Sequence, residues 1–117
     1  MKKNVYGDYT IPTGMRGRGR AAAILIRDCL LKRKALFTGG GGKFYTPTAW
    51  ERRGEWDASN PRPRRVVLLL THDGGDLSLY SGNPAHWTAI SRALSKHGFH
   101  LEHQTGWYTA VFDTRYN

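Results

Sequence analysis

Five histidines and nine carboxylates are the groups in this sequence best suited to take up protons or hold a metal, and their spacing decides whether they act together. His72, Asp73 and Asp76 place an imidazole beside two carboxylates, the arrangement of a general base with orienting partners. The same stretch, His72-Asp73-Gly74-Gly75-Asp76, has the composition of a tight turn, in which glycines accept positive φ and Asp side chains bond the turn's own amides. The turn is the reading adopted here. His97, His100 and His103 recur every third residue, which would align them on a helix. Gly98 and the alternation of Phe99 and Leu101 instead predict a strand over 99–104. On a strand His100 and His103 point to opposite faces, and His100 shares its face with Glu102. That spacing implies no metal and no cofactor. No Ser, Thr or Cys is paired by a motif with a base, so the sequence carries no enzyme fingerprint.

The remaining chemistry is that of cations and aromatic rings. Eighteen Lys and Arg against nine Asp and Glu give a net charge of +9. Residues 1–65 hold fifteen basic and five acidic side chains, a net of +10, whereas residues 66–117 hold three and four, a net of −1. A field of one sign over half of a small protein concentrates polyanions near it. Arg16, Arg18 and Arg20 alternate with Gly17 and Gly19, and arginines on a flexible backbone reach phosphates and stack on bases. Lys32, Arg33 and Lys34 end a helical pattern, where they also suit the negative end of the helix dipole. Lys43, Arg52, Arg53, Arg62, Arg64 and Arg65 lie among Tyr45, Trp50 and Trp56. With Trp107 and Tyr108 these rings can form a stacking platform with a basic rim. The candidate set for binding nucleic acid or a partner is therefore these basic residues with Tyr45 and Trp50. Gly39–Gly42 precedes Lys43-Phe44 rather than Lys-Ser or Lys-Thr, so it reads as a flexible loop and not a P-loop.

These groups need elements to carry them. Each Gly inside a helix costs roughly 1 kcal/mol relative to Ala, so residues 1–19 are predicted to be a flexible, basic, Arg/Gly-rich arm. Behind it, residues 20–117 are the size of a single domain. Helical spacing over Arg20–Lys34 predicts the first long helix, with Cys29 on its apolar face as a small hydrophobe. Lys43–Tyr45 reads as a short strand, and Thr46-Pro47 as the cap and first position of a brief helix. Arg65–Thr71 is an unbroken apolar strand, paired in a hairpin with the alternating Asp76–Tyr80. Asn83-Pro84 starts a second long helix that Gly98 stops. Phe99–Gln104 and Trp107–Asp113 form a second hairpin. The fold class is α+β: an antiparallel sheet of four or five strands with the two long helices on one face and the other face partly solvated. The apolar runs Ala21–Ile26 and Val66–Leu70 are far shorter than the roughly 20 residues of a membrane span. No apolar targeting stretch follows Met1, so the expected location is the cytoplasm without membrane association.

Lys32-Arg33-Lys34-Ala35-Leu36-Phe37, Lys43-Phe44-Tyr45-Thr46-Pro47 with Trp50 three residues on, His72-Asp73-Gly74-Gly75 and Trp107-Tyr108-Thr109-Ala110-Val111 together resemble small proteins of bacteriophages and other mobile elements. The resemblance covers roughly residues 30–113, excludes the arginine-glycine segment, and brings no catalytic residue or ligand with it. It implies a context in which such proteins bind and block a host nucleoprotein machine, for example a CRISPR effector or a restriction enzyme. The expected function is a non-enzymatic basic protein that binds nucleic acid or a host nucleoprotein complex, with inhibition of a bacterial defence system such as CRISPR or restriction as its most concrete form. The alternatives are a small metal-dependent nuclease or phosphodiester hydrolase using His72, Asp73, Asp76 and His100, and a structural or assembly component.

Overall fold

The computed structural model describes residues 9–35, 42–80 and 82–115. Along the chain run α1 (Gly17–Lys32), β1 (Phe44–Tyr45), α2 (Pro47–Arg52), β2 (Val66–Thr71), a 3-10 turn (Gly75–Leu77), α3 (Pro84–Ser95), β3 (Phe99–His103) and β4 (Tyr108–Asp113). The strands form one antiparallel sheet in the order β1-β2-β4-β3, so the fold is α+β. Both proline-led helices start as their sequences require. The Thr46 hydroxyl accepts from the Ala49 amide at 3.0 Å, and the Asn83 side chain accepts from the Ala85 amide at 3.0 Å. These bonds satisfy backbone donors that the first helical turn leaves unpaired.

Alternation along the central strands splits the apolar residues between two faces. Leu68 and Leu70 of β2 and Val111 of β4 point to the side where Ala22, Ala23, Ile26 and Leu30 of α1 meet Trp87, Ile90 and Leu94 of α3. Leu69 of β2 with Tyr108 and Ala110 of β4 point the other way, beneath Trp50 of α2 and Trp56 of the following loop. The face expected to be partly solvated therefore carries a second, aromatic core. Its rings bury large apolar area from few positions, which is how two cores arise from so short a chain.

Two expectations need correction. Asp76–Tyr80 is not a strand paired with β2. The place beside β2 is filled by β4, with Leu69 opposite Ala110, and the segment turns as a 3-10 helix toward α3. There the Leu77 carbonyl accepts from Trp87 Nε1 at 3.0 Å. The flexible arm does not extend to residue 19. Residues 1–8 lie outside the described residues, as do 36–41 with most of the glycine loop, but Tyr9 and Met15 are in the core and α1 begins at Gly17. The Tyr9 hydroxyl donates to the Thr71 carbonyl, and Arg27 donates to the Tyr9 carbonyl at 2.7 Å.

The glycines of the Arg/Gly tract serve this packing. Gly17 has φ +63°, in the left-handed region that a side chain disfavours. At Gly19 the helix comes so close to the sheet that a Cβ would collide with the Val67 carbonyl. Val67 is the extra residue of an irregularity in β2, since Val66 faces Phe112 while Leu68 already faces Val111. Both partners in that contact are backbone and cannot rotate away. The Gly19→Ala variant is therefore expected to lose about 2 kcal/mol of stability, the scale of overpacking a well-filled interior, as read from urea denaturation midpoints. Unchanged or raised stability would show that α1 stands off the sheet at this point.

Candidate functional site

On the aromatic face a cleft of about 200 Å³ opens between Lys43, Tyr45, Arg53, Thr71, Asp73 and Trp107. Each wall has a structural anchor. Lys43 is held against the end of β2, because its carbonyl accepts from the Thr71 amide and its amide donates to the Thr71 hydroxyl, both at 3.0 Å. Tyr45 follows in β1 opposite Leu69. Arg53 is the residue that closes α2. Trp107 precedes β4, and its carbonyl accepts from the His72 amide at 2.8 Å, which ties it to the chain between Thr71 and Asp73.

Trp50 is the buried floor behind these walls. Its ring lies 5.1 Å from Tyr45, 5.7 Å from Trp107 and 4.7 Å from Tyr108, in edge and tilted arrangements favoured by aromatic quadrupoles. Trp107 and Tyr108 also touch, at 4.8 Å, so both belong to this face. Trp107 sits in the turn before β4, where strand alternation does not apply, so the two neighbours can share a face. The Arg53 guanidinium lies 4.7 Å from the Trp50 ring centre, 5.0 Å from Tyr45 and 6.0 Å from Trp107, within cation–π range of all three. Glu55 approaches Arg53 at 3.6 Å. Lys43 and Asp73 carry opposite charges in the cleft, yet neither side chain makes an ion pair or hydrogen bond among the described residues.

The sequence-derived binding residues fall into separate groups. Lys43, Tyr45 and Arg53 line the cleft, and Arg52 is exposed in the last turn of α2. Arg62 pairs with Glu51 and covers the Trp56 ring at 5.6 Å, while Arg64 is exposed in the loop. Arg65 has φ +66° and its carbonyl accepts from the Asp113 amide at 3.0 Å, so its backbone helps begin β2. Arg16 and Arg20 are exposed at the start of α1, whereas Lys32, Arg33 and Lys34 are exposed at its end. The 16 residues of α1 separate these two groups by about 24 Å at 1.5 Å per residue. Arg33 donates to His86 Nδ1 at 2.8 Å.

Two members of the set do not present their side chains to a partner. Trp50 is 0 % exposed, so it supports the platform without forming its surface. Arg18 is turned inward: its Nε and Nη2 reach the two Asp113 oxygens at 2.9 and 3.1 Å. Nη2 also donates to the His97 and Gly98 carbonyls, and the guanidinium lies 3.9 Å over Phe99. The Arg18 hydrogen bonds hold the Asp113 carboxyl down at about 2.

Of the residues of the hydrolase alternative, His72 and His100 lie on opposite faces of the sheet. His100 bonds Glu102 at 3.2 Å on one face of the sheet, as the strand alternation predicts. His72 is 0 % exposed on the other face, where its Nε2 and His103 Nδ1 lie 2.7 and 2.6 Å from the same Thr109 hydroxyl. Trp87 packs edge-on against both imidazoles. His72 Nδ1 is buried without a partner among the described residues. Burial, with His103 adding to it, pushes the His72 pKa down to about 4, and burial lowers that of His103. Among the described residues no group of three or more His, Cys, Asp and Glu is arranged to hold a metal ion, and no helix is long and apolar enough to cross a membrane. Sequence reasoning did not place Thr71 and Asp73 in a binding site, and it did not foresee the His72-Thr109-His103 network.

Compared with protein-family models, with curated proteins and with solved structures, the chain has no significant match.

Proposed function

We propose that this is a non-enzymatic protein that binds single-stranded nucleic acid through the aromatic face of its sheet. The observation that carries this reading is the cleft in which the half-buried rings of Tyr45 and Trp107 stand beside Lys43 and Arg53. Exposed rings accept the face of any base, and neighbouring cations meet the phosphates on either side of it. The arrangement suits an unstacked strand, because the bases of a duplex keep their faces covered. The +10 of residues 1–65 supplies the long-range attraction. In the same proposal the strand is free or belongs to a host nucleoprotein machine in the cytoplasm. The resemblance to small phage proteins favours a defence complex such as a CRISPR effector or a restriction enzyme.

The test is a fluorescence-anisotropy titration of a labelled single-stranded oligonucleotide over a range of salt concentrations. Log affinity is expected to fall linearly with log salt, by about 0.7 for each phosphate neutralised. Trp107→Ala and Tyr45→Ala are each expected to weaken binding about tenfold, the loss of one stacked base, with folding checked by circular dichroism. The matching duplex is expected to bind more weakly than the single strand. Affinity that ignores salt, or absence of affinity beside tight capture of a host protein, would overturn the reading.

A further inference from the structure

We infer that the cleft reads a single base and prefers guanine, with Asp73 as the residue that sets the preference. This rests on the proposed nucleic-acid function and deepens it. A volume of about 200 Å³ lies below the roughly 300–1,000 Å³ of pockets for drug-sized ligands, which fits one planar ring system entering from an open side. The aromatic walls alone would accept every base equally.

The discriminating feature is the pair of opposite charges left unpaired in the same cleft. Lys43 comes from the residue just before β1 and Asp73 from the chain just beyond β2, and no other charged group among the described residues pairs with either one. Arg53, the third charged wall, already has a carboxylate partner in Glu55 at 3.6 Å, so it is not one of the two unpaired charges. An ionised carboxylate only accepts hydrogen bonds, and an ammonium group only donates them. The ligand that satisfies both must present donors on one edge and acceptors beside them.

Guanine alone among the common bases has two adjacent N–H donors on its Watson–Crick edge, N1–H and the N2 amino group. Both can bond one carboxylate at the same time. Its O6 and N7 are the acceptors that Lys and Arg side chains recognise most often. Adenine and cytosine offer a single amino group next to an acceptor nitrogen, which would face the Asp73 carboxylate with a lone pair. Uracil and thymine flank their one N–H with two carbonyls. The charge pattern therefore ranks guanine first and thymine or uracil last.

The experiment compares oligothymidylates carrying one central guanine, inosine or thymine, titrated against the wild-type protein and against Asp73→Asn. Inosine keeps N1–H, O6 and N7 but lacks the N2 amino group. With the wild-type protein the guanine oligomer is expected to bind about tenfold more tightly than the thymine oligomer, toward the low end of what a bidentate contact discriminates because the cleft is open. Inosine is expected to lose most of that gain. Asp73→Asn, with one acid fewer, is expected to bind the thymine oligomer at least as tightly but to lose the extra affinity for guanine, so that the guanine-to-thymine ratio collapses toward one and the guanine-to-inosine difference disappears. Equal wild-type affinity for the three oligomers would overturn the guanine inference and leave the nucleic-acid function standing. So would a guanine preference that persists in Asp73→Asn. Failure of the wild-type protein to bind any of the oligomers would overturn the function itself, and the inference with it.

Discussion

Arg18→Ala is expected to destabilise the protein by about 3 kcal/mol. A fully buried ion pair broken from one side costs roughly 3–5 kcal/mol, whereas an exposed pair is worth roughly 0–1. The Asp113 side chain is 6 % exposed and Arg18 24 %, which places this pair nearer the buried limit. Arg115 reaches Asp113 at 3.5 Å from the exposed side and supplies partial compensation. The variant also leaves two carbonyls without their shared donor and uncovers Phe99, so the pair is not the whole effect. Urea denaturation of Arg18→Ala, Asp113→Asn and the double variant measures the coupling, and the two single losses are expected not to add. In contrast, Arg16→Ala and Arg20→Ala, at exposed positions on the same turn of helix, are expected to change stability by less than about 0.5 kcal/mol. Equal effects of the three substitutions would show that the Arg/Gly tract contributes by composition rather than by this one contact.

Acid is expected to unfold the protein from within the helical face. A protonated His72 has two N–H groups to satisfy, yet its Nδ1 has no partner among the described residues and the whole residue is shielded from solvent. The Thr109 hydroxyl, with one donor and two lone pairs, can suit either ring's tautomer at the shared bond but offers nothing to the buried His72 Nδ1. The folded-state pKa of about 4 lies below the ordinary 6.5. The unfolded chain therefore binds the proton first. Stability is full above about pH 6.5 and falls progressively as the pH drops toward 4, by roughly 3 kcal/mol from His72 alone. The lowered pKa of His103 acts in the same direction. Denaturation midpoints measured across that interval are expected to show the loss in the wild-type protein, and His72→Gln is expected to flatten it. A midpoint that stays level from neutrality to about pH 4 would mean that His72 is charged and partnered in the folded state. Because the His72 amide holds Trp107 in place, nucleic-acid affinity is expected to weaken over the same pH interval.

The elements most readable from sequence were those whose signals are local. Asn83-Pro84 and Thr46-Pro47 announced α3 and α2, since a cap needs only the residue and the amides that follow it. Phe99–His103 and Tyr108–Asp113 showed their pairing through alternation around a short turn, and the same alternation separated His100 from His103. The signals that misled were local as well. Asp76–Tyr80 alternates like a strand, but a strand needs an open edge beside it. On one side of β2 that edge is taken by β4, and on the other by β1. Gly17 and Gly19 resembled linker glycines because a backbone meeting a carbonyl from the distant Val67 leaves no mark nearby in the chain. Arg18 likewise became a structural residue through an acid 95 positions away. The platform residues Tyr45, Arg53 and Trp107 were foreseen as aromatic groups with a basic rim, whereas Thr71 and Asp73 were not. Their position depends on the course of β2 beyond its irregularity at Val67, which only the register with β4 reveals.

The strand order has a consequence for synthesis. β4 is the last of the described elements to leave the ribosome, yet it occupies the middle of the sheet and contributes to both cores. Until it emerges, β3 has no strand to pair with and β2 can pair only with the two residues of β1. A nascent chain thus presents the apolar run Val66–Leu70 with one edge open until β4 is made. Pairing that joins such distant segments is slow to form. Release of β4, rather than any earlier step among the described elements, is what closes the two faces together.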